Sequence, residues 1–263
     1  VVLVSRRTKL VFEWTPRSGV APGLLGVSLR LRSEQTIERG IATGRCWIFV
    51  AVTHEEGLTE ARAGDRWIPL ESRRVFLIPP SSYLRLRLTE VRLDAMGILG
   101  RCRLSPALTA CPVAAALDRA APVPRDLGGI EASLRFGLRL DPDAGVHPLA
   151  RKARAHLQNV RFSPRPVHDV ARALRVSPET VTRIFSAAYG MSPKAYAHRL
   201  RVSDAVVALL AGQDVLSAGL DAGFGHASRF YEIFRRITGA TPGAYATLAG
   251  QKSRGRARGV RAR

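Results

Sequence analysis

Cysteine, lysine and long apolar runs are all scarce in this chain, and each shortage removes a class of protein. Three cysteines among 263 residues, Cys46, Cys102 and Cys111, show no Cys-x-x-Cys spacing, so neither a disulfide scaffold nor a zinc ribbon is expected. A redox pair of Cys102 and Cys111 is the thiol function left open. His54 stands alone in the first half with no His-x-His partner. His147, His156, His168, His198 and His226 are scattered as capping or solvated histidines are. No metal and no cofactor are expected. No run of about eighteen apolar residues appears, which argues against a membrane-spanning helix. Arg6, Arg7 and Lys9 interrupt the N-terminus where a signal peptide needs an apolar core, so the cytoplasm is the expected compartment. The chain opens on valine, as a fragment or a trimmed product does. No acid–base constellation is recognisable, and an enzyme is not expected.

Acidic residues are also scarce, but only in one half. Residues 1–145 carry 21 basic and 15 acidic side chains, whereas residues 146–263 carry 20 and 6 of a net +20. The excess sits where a phosphate backbone would need it. Part of it is bland: residues 249–263 supply +6 and read as a disordered tail. All but four of the basic residues are arginine; the lysines are Lys9, Lys152, Lys194 and Lys252.

What the chain does contain is one pattern written twice. Phe185, Gly190, Pro193 and Tyr196 recur forty-nine positions later as Phe234, Gly239, Pro242 and Tyr245. Upstream of a turn the offset is forty-eight, pairing Ala171 with Gly219 and Val176 with Phe224, so the second copy has one extra turn residue. A repeat of this period signals one supersecondary unit built twice. Val170, Ala171 and Leu174 give a short helix, Arg175-Val176-Ser177 a turn, and Ser177-Pro178 a capped helix start. Val181, Ile184, Phe185 and Ala188 then form a buried stripe, repeated by Phe230, Ile233, Phe234 and Ile237. Helix, tight turn and a second helix with a polar face make a helix-turn-helix, whose second helix fits a DNA major groove. Gly190 and Gly239 end the units. Between them Pro193 to Ala211, closed by Gly212, predicts a spacer helix of roughly 28 Å against a duplex turn of about 34 Å. Leu149, Ala153, Leu157 and Val160 predict a helix before the first unit.

The segment GFGHASRFYEIFRRITGATPGAY resembles the C-terminal signature of the AraC/XylS family of transcription regulators, and the likeness extends over residues 146–248. Two positions depart from that family: Gly219 stands where alanine is usual, and Glu232 where a basic residue is usual. The resemblance implies a sequence-specific, double-stranded-DNA-binding transcription regulator. Base reading is assigned to Glu179, Thr182 and Arg183 in the first unit and to Ser228, Arg229 and Glu232 in the second. Lys194, Arg199, Arg201, Arg235 and Arg236 are read as phosphate contacts, which position without specifying. Some DNA-repair proteins join an alkyl-accepting cysteine to this kind of domain, but Cys111-Pro112 lacks the Pro-Cys-His-Arg setting.

Upstream, Leu10 to Trp14, Leu24 to Leu31, Cys46 to Val52, Arg74 to Ile78 and Tyr83 to Asp94 predict strands. Leu84, Leu86 and Leu88 alternate with Arg85 and Arg87; the phase slips at Thr89-Glu90, predicting a bulge. Such strands suggest a small barrel or sandwich. GDRWIPLESRRVFLIPPSSYLRLRL resembles the cupin-like sensor barrel of many AraC-family regulators. Ala110 to Ala120 and Leu127 to Leu138 are read as helices, with Asp141 to Gly145 as a linker. The expected fold is therefore α+β. A cupin-like β-barrel with helices spans residues 1–143 as a sensor or dimerisation domain, and an all-α double helix-turn-helix spans 146–248. Trp14, Trp47, Phe49, Trp67, Phe76 and Tyr83 either line a pocket for a small effector or form ordinary core. RNA polymerase and a second copy of the chain are further partners within this reading. Two other readings stay open: a non-specific architectural nucleic-acid binder, and an enzyme tethered to DNA.

Overall fold

The computed structural model describes residues 2–5, 10–17, 20, 24–64, 66–100, 104–118 and 121–247, with side chains from Val20 onward except that of Ala107. Cys102, the side chain of Trp14 and the tail at 249–263 therefore lie outside the described residues. The N-terminal half is an antiparallel sheet. Its strands are β1 (Val2–Ser5), β2 (Leu10–Arg17), β3 (Leu24–Ser33), β4 (Ile37–Ala42), β5 (Trp47–Ala63), β6 (Arg66–Pro69), β7 (Arg74–Ile78), β8 (Tyr83–Gly100), β9 (Val113–Ala116) and β10 (Leu138–Arg139). Hydrogen-bonded neighbours run β1-β2-β3-β8-β5-β7-β9-β10, with β4 also on β8 and β6 also on β5.

Two long strands form the frame. β5 and β8 pair from Trp47↔Gly100 to Ala61↔Leu86, with register shifts between Val52 and His54 and between Glu56 and Leu58. The second shift is the bulge expected at Thr89-Glu90; Glu90 and Gly57 there take φ of 49° and 91°. Alternation then sorts the core. Trp47, Phe49, Ala51, Val75 and Leu77 face one way against Ile130 and Leu134, whereas Val50, Val52, Phe76 and Ile78 face the other with Leu84 and Leu86. Across β5 and β7 a fully buried Arg74 pairs with the Glu55 carboxylate through both terminal nitrogens, at 2.5 and 2.9 Å.

Among the described residues the sheet is open rather than a closed barrel, because its end strands β1 and β10 do not pair with each other. The helices predicted before the linker are also shorter than expected. The described part of the run Ala110–Ala120 is not a helix: α1 covers only Pro106–Thr109, and Val113 and Ala114 pair with Leu77 and Phe76 as β9. Ladder pairing outweighs the helix propensity of an alanine-rich run that Pro112 interrupts. The next helix, α2 (Leu127–Leu134), stops early. The chain then pairs with β9 as β10, and it passes so close to β9 that a methyl on Gly137 would come within 2.5 Å of Val113 Cγ1, so glycine is needed there.

The second half is helical: α3 (Pro148–Asn159), α4 (Pro166–Leu174), α5 (Pro178–Tyr189), α6 (Pro193–Leu210), α7 (Val215–Asp221) and α8 (Ala227–Thr238). The spacer α6 ends at Leu210, with Gly212 at φ 95° just beyond. It is packed along its length as well as being a spacer. Tyr196 and Leu200 join the core of α3, α4 and α5. Val202, Ala205 and Leu209 join that of α7 and α8, together with Val27 of the sheet. Among the described residues no helix is long and apolar enough to cross a membrane.

Candidate nucleic-acid interface

Helices α4–α5 and α7–α8 repeat one geometry at the offsets read from the chain. The turn of the first unit is closed by the Val176 N–H on the Ala171 carbonyl, and that of the second by Phe224 N–H on Gly219, both at 3.0 Å. Arg175 and Gly223, forty-eight apart, both take left-handed backbone, at φ 55° and 80°. α5 and α8 then start and stop forty-nine positions apart, each ended by a left-handed glycine, Gly190 or Gly239. The Ser177 hydroxyl caps α5 by accepting from the Thr180 N–H at 3.1 Å. Gly219 also has a physical reason. An added methyl would lie 2.7 Å from the Phe230 ring, so the close approach of α7 to α8 requires glycine there.

All six residues assigned to base reading are exposed, on matching faces of α5 and α8. On α5, Glu179, Thr182, Arg183 and Ser186 line a groove of about 480 Å³ against His168 of α4. Hydrogen bonds from its own backbone N–H and from Ser177 hold the Glu179 carboxyl below its ordinary value, leaving it an acceptor. Arg183 makes no ion pair among the described residues. On α8, Glu232 bridges Arg229 at 2.7 Å and Arg236 at 3.5 Å. Those contacts are exposed and weak, and a nucleic acid would replace them.

The cations read as phosphate contacts divide. Lys194, Arg235 and Arg236 are exposed, while Arg199 is half-buried. Arg201 is a correction. It is only 8% exposed and donates to the carbonyls of Arg161, Ser163 (2.6 Å) and Gly223 (3.3 Å). Its fork joins the loop before α4 to the turn of the second unit and does not face solvent. His198, also on α6, is buried beside it. Burial, then the charges of Arg201, Lys194, Arg229 and Arg236, push its imidazole down to about 4, so it is neutral at physiological pH.

Among the described side chains, the aromatic residues read as an effector pocket (Trp47, Phe49, Trp67, Phe76 and Tyr83) do not converge, which is a second correction. Strand alternation puts Trp47 and Phe49 on one face of the sheet and Phe76 on the other. Trp67 is half-buried, its ring 4.0 Å from the Arg87 guanidinium and 5.5 Å from those of Arg62 and Arg85. Tyr83 packs edge-on against Tyr189 and Tyr196 of the helical half, centroids 6.0 Å apart in each case. A hollow of about 430 Å³ lies instead between α2 and β9–β10, lined by Leu108, Val113, Glu131, Leu134 and Arg139 among others.

Sequence reasoning missed the junction between the halves. Asp204 of α6, 3% exposed, accepts from the Arg45 backbone N–H at 2.6 Å and pairs with Arg161 at 3.2 Å and Arg45 at 3.6 Å. Ser203 beside it accepts from Gly44 N–H at 3.1 Å. One signal was available: Asp204 is the lone acid between Glu179 and Asp214, set among Val202, Ala205 and Leu209.

Residues 170–247 match the family model described as a helix-turn-helix domain. No curated protein matches the chain. Among solved structures, ToxT from Vibrio cholerae O395 shares the fold over 87% of this chain and 99% of its own, at a TM-score of 0.53 and 11% identity. The same protein bound to (E)-4-(8-methylnaphthalen-1-yl)but-3-enoic acid aligns over 90% and 99%, at 0.51 and 10%. The C-terminal domain of AraT, a response regulator from Geobacillus stearothermophilus, is 24% identical over 39% of this chain and 86% of that one, at 0.37.

Proposed function

We propose, on the premise that the C-terminal region is an AraC-type helix-turn-helix domain, that this DNA-binding transcription regulator reads an asymmetric, two-part DNA site. The observation that carries the reading is the pair α5 and α8. They have the same length, the same left-handed glycine at the C-terminal end and the same buried stripe, with Glu179 and Arg183 replaced forty-nine positions later by Ser228 and Glu232, and about 27 Å of helix α6 lies between the units. Glu179, Thr182 and Arg183 read one half; Ser228, Arg229 and Glu232 read the other. Lys194, Arg235 and Arg236 hold phosphates. Residues 1–143 form the sensing unit, 146–248 the DNA-binding unit, and a small-molecule effector acts through the first. The likeness of fold to a regulator solved with a small organic acid bound supports that last step.

Selection of random DNA by the full-length protein at physiological salt, with competitor present, tests the reading. Two short motifs about one helical turn apart are expected. Unrelated, salt-sensitive fragments would mean an architectural binder instead. Two substitutions separate reading from anchoring. Arg183→Ala is expected to lose about 1–3 kcal/mol of discrimination at one base position. Arg236→Ala weakens binding to all sequences alike and lowers the salt slope by about 1. The reverse pattern in quantitative binding-site selection overturns the assignment.

A further inference from the structure

We propose that Tyr83 and Arg85 of the sheet are positioning residues for the first reading helix, gripping the C-terminal turn of α5 so that these two side chains set the presentation of the DNA half-site that α5 reads. The inference rests on the DNA-reading proposal above. Its first observation is a carbonyl that the helix itself cannot satisfy. The residue four beyond Tyr189 is Pro193, which has no N–H, so the Tyr189 carbonyl lacks the usual helical continuation. The Tyr83 hydroxyl fills that gap, donating to Tyr189 O at 3.0 Å from the start of β8.

Two residues along β8, Arg85 covers the next position of the same turn. A methyl group on Gly190 would come within 2.7 Å of the Arg85 guanidinium carbon and 2.8 and 2.9 Å of its two terminal nitrogens. The guanidinium therefore rests on the bare backbone of the left-handed cap. Glu38 of β4 accepts from Arg85 Nε at 3.0 Å, and the Trp67 ring lies 5.5 Å from its guanidinium. Met191 completes the grip, its methyl occupying the space beside Gly40 where a side chain would come within 2.5 Å.

The consequence is asymmetric. α5 is twelve residues, about 18 Å, of rigid rod. Its C-terminal end lies in the grip, and its N-terminal part carries Glu179, Thr182 and Arg183. A change in the sheet that moves Tyr83 and Arg85 tilts that rod. β8 is well placed to transmit it, because it pairs with β5 along its length and carries β3 and β4 on its other edge. α8 packs chiefly against α6 and α7, and the sheet meets their core through apolar side chains such as Val27.

The test uses full-length protein and the two-part site recovered by selection. The half read by α5 is identified as the one whose preference Arg183→Ala relaxes. Wild type, Tyr83→Phe and Arg85→Ala are titrated against the intact site, the site with the α5 half scrambled, and the site with the α8 half scrambled. Tyr83→Phe removes one hydroxyl and keeps the ring in the core, so folding is preserved. Both variants are expected to bind the intact site and the α8-scrambled site about five- to tenfold more weakly than wild type, and the α5-scrambled site equally well. Unchanged affinity, an equal loss on all three DNAs, or a gain overturns the proposal. If wild type itself does not prefer the intact site over the scrambled ones, it is the DNA-reading proposal that fails.

Discussion

Replacing Asp204 by alanine is expected to cost about 3–5 kcal/mol and to lower the thermal midpoint by on the order of 10 °C. The carboxylate is buried, and its partners are fixed by opposite halves of the molecule: Arg45 by the loop after β4, Arg161 by the loop after α3. Truncation leaves Arg161, whose side chain is 12% exposed, without its anion. It also leaves the Arg45 N–H without an acceptor in a junction that admits little water. Asp204→Asn keeps an oxygen for that N–H and removes the charge, so it should fall between wild type and alanine. The measurement is thermal unfolding followed by circular dichroism. A midpoint for Asp204→Ala within 2 °C of wild type would sink the claim that this side chain joins the halves. The same variant should be cut faster by protease between sheet and helices, because opening of that junction precedes cleavage.

The helical half was legible because its determinants are local. Pro178, Pro193 and Ser177 start helices by their own chemistry, Gly190 and Gly239 stop them, and the repeat checks each assignment against a second copy. The strands were legible for a related reason: Leu84, Leu86 and Leu88 declare a face by alternation, and the slip at Thr89-Glu90 declares the bulge. Failures came where distant partners decide. The alanine-rich run around Val113 has helical propensity, but β7 offers it a ladder that no local pattern reveals. Trp47, Phe49 and Phe76 look alike as aromatic residues at strand spacing, yet pairing register sends them to opposite faces. Tyr83 was singled out as a pocket residue and is instead the contact point for Tyr189, more than a hundred positions away. Arginine is the hardest residue to place from sequence, since Arg201 buried and Arg236 exposed sit in equally basic stretches.

That last pair gives the second large effect. Arg201→Ala is expected to destabilise the protein by about 2–4 kcal/mol while leaving the salt dependence of DNA binding unchanged. Its guanidinium is the common donor to three main-chain carbonyls, of Arg161, Ser163 and Gly223, from two separate loops. The Phe224 ring lies 5.8 Å from it. Without the fork those acceptors lose a charge-assisted partner, and the turn before α8 is released from the loop before α4. Lysine is a poor substitute, because one ammonium cannot reproduce a planar fork spread over three acceptors. Arg201→Lys should therefore recover only part of the stability. Arg236→Ala supplies the contrast, since it is exposed: its stability should stay within about 0.5 kcal/mol of wild type while its salt slope falls by about 1. Both quantities come from the same purified proteins, by thermal melts and by DNA titration at several salt concentrations. If Arg201→Ala melts like wild type and loses salt slope, Arg201 is a phosphate contact after all, and the two units are held together by α6 packing alone.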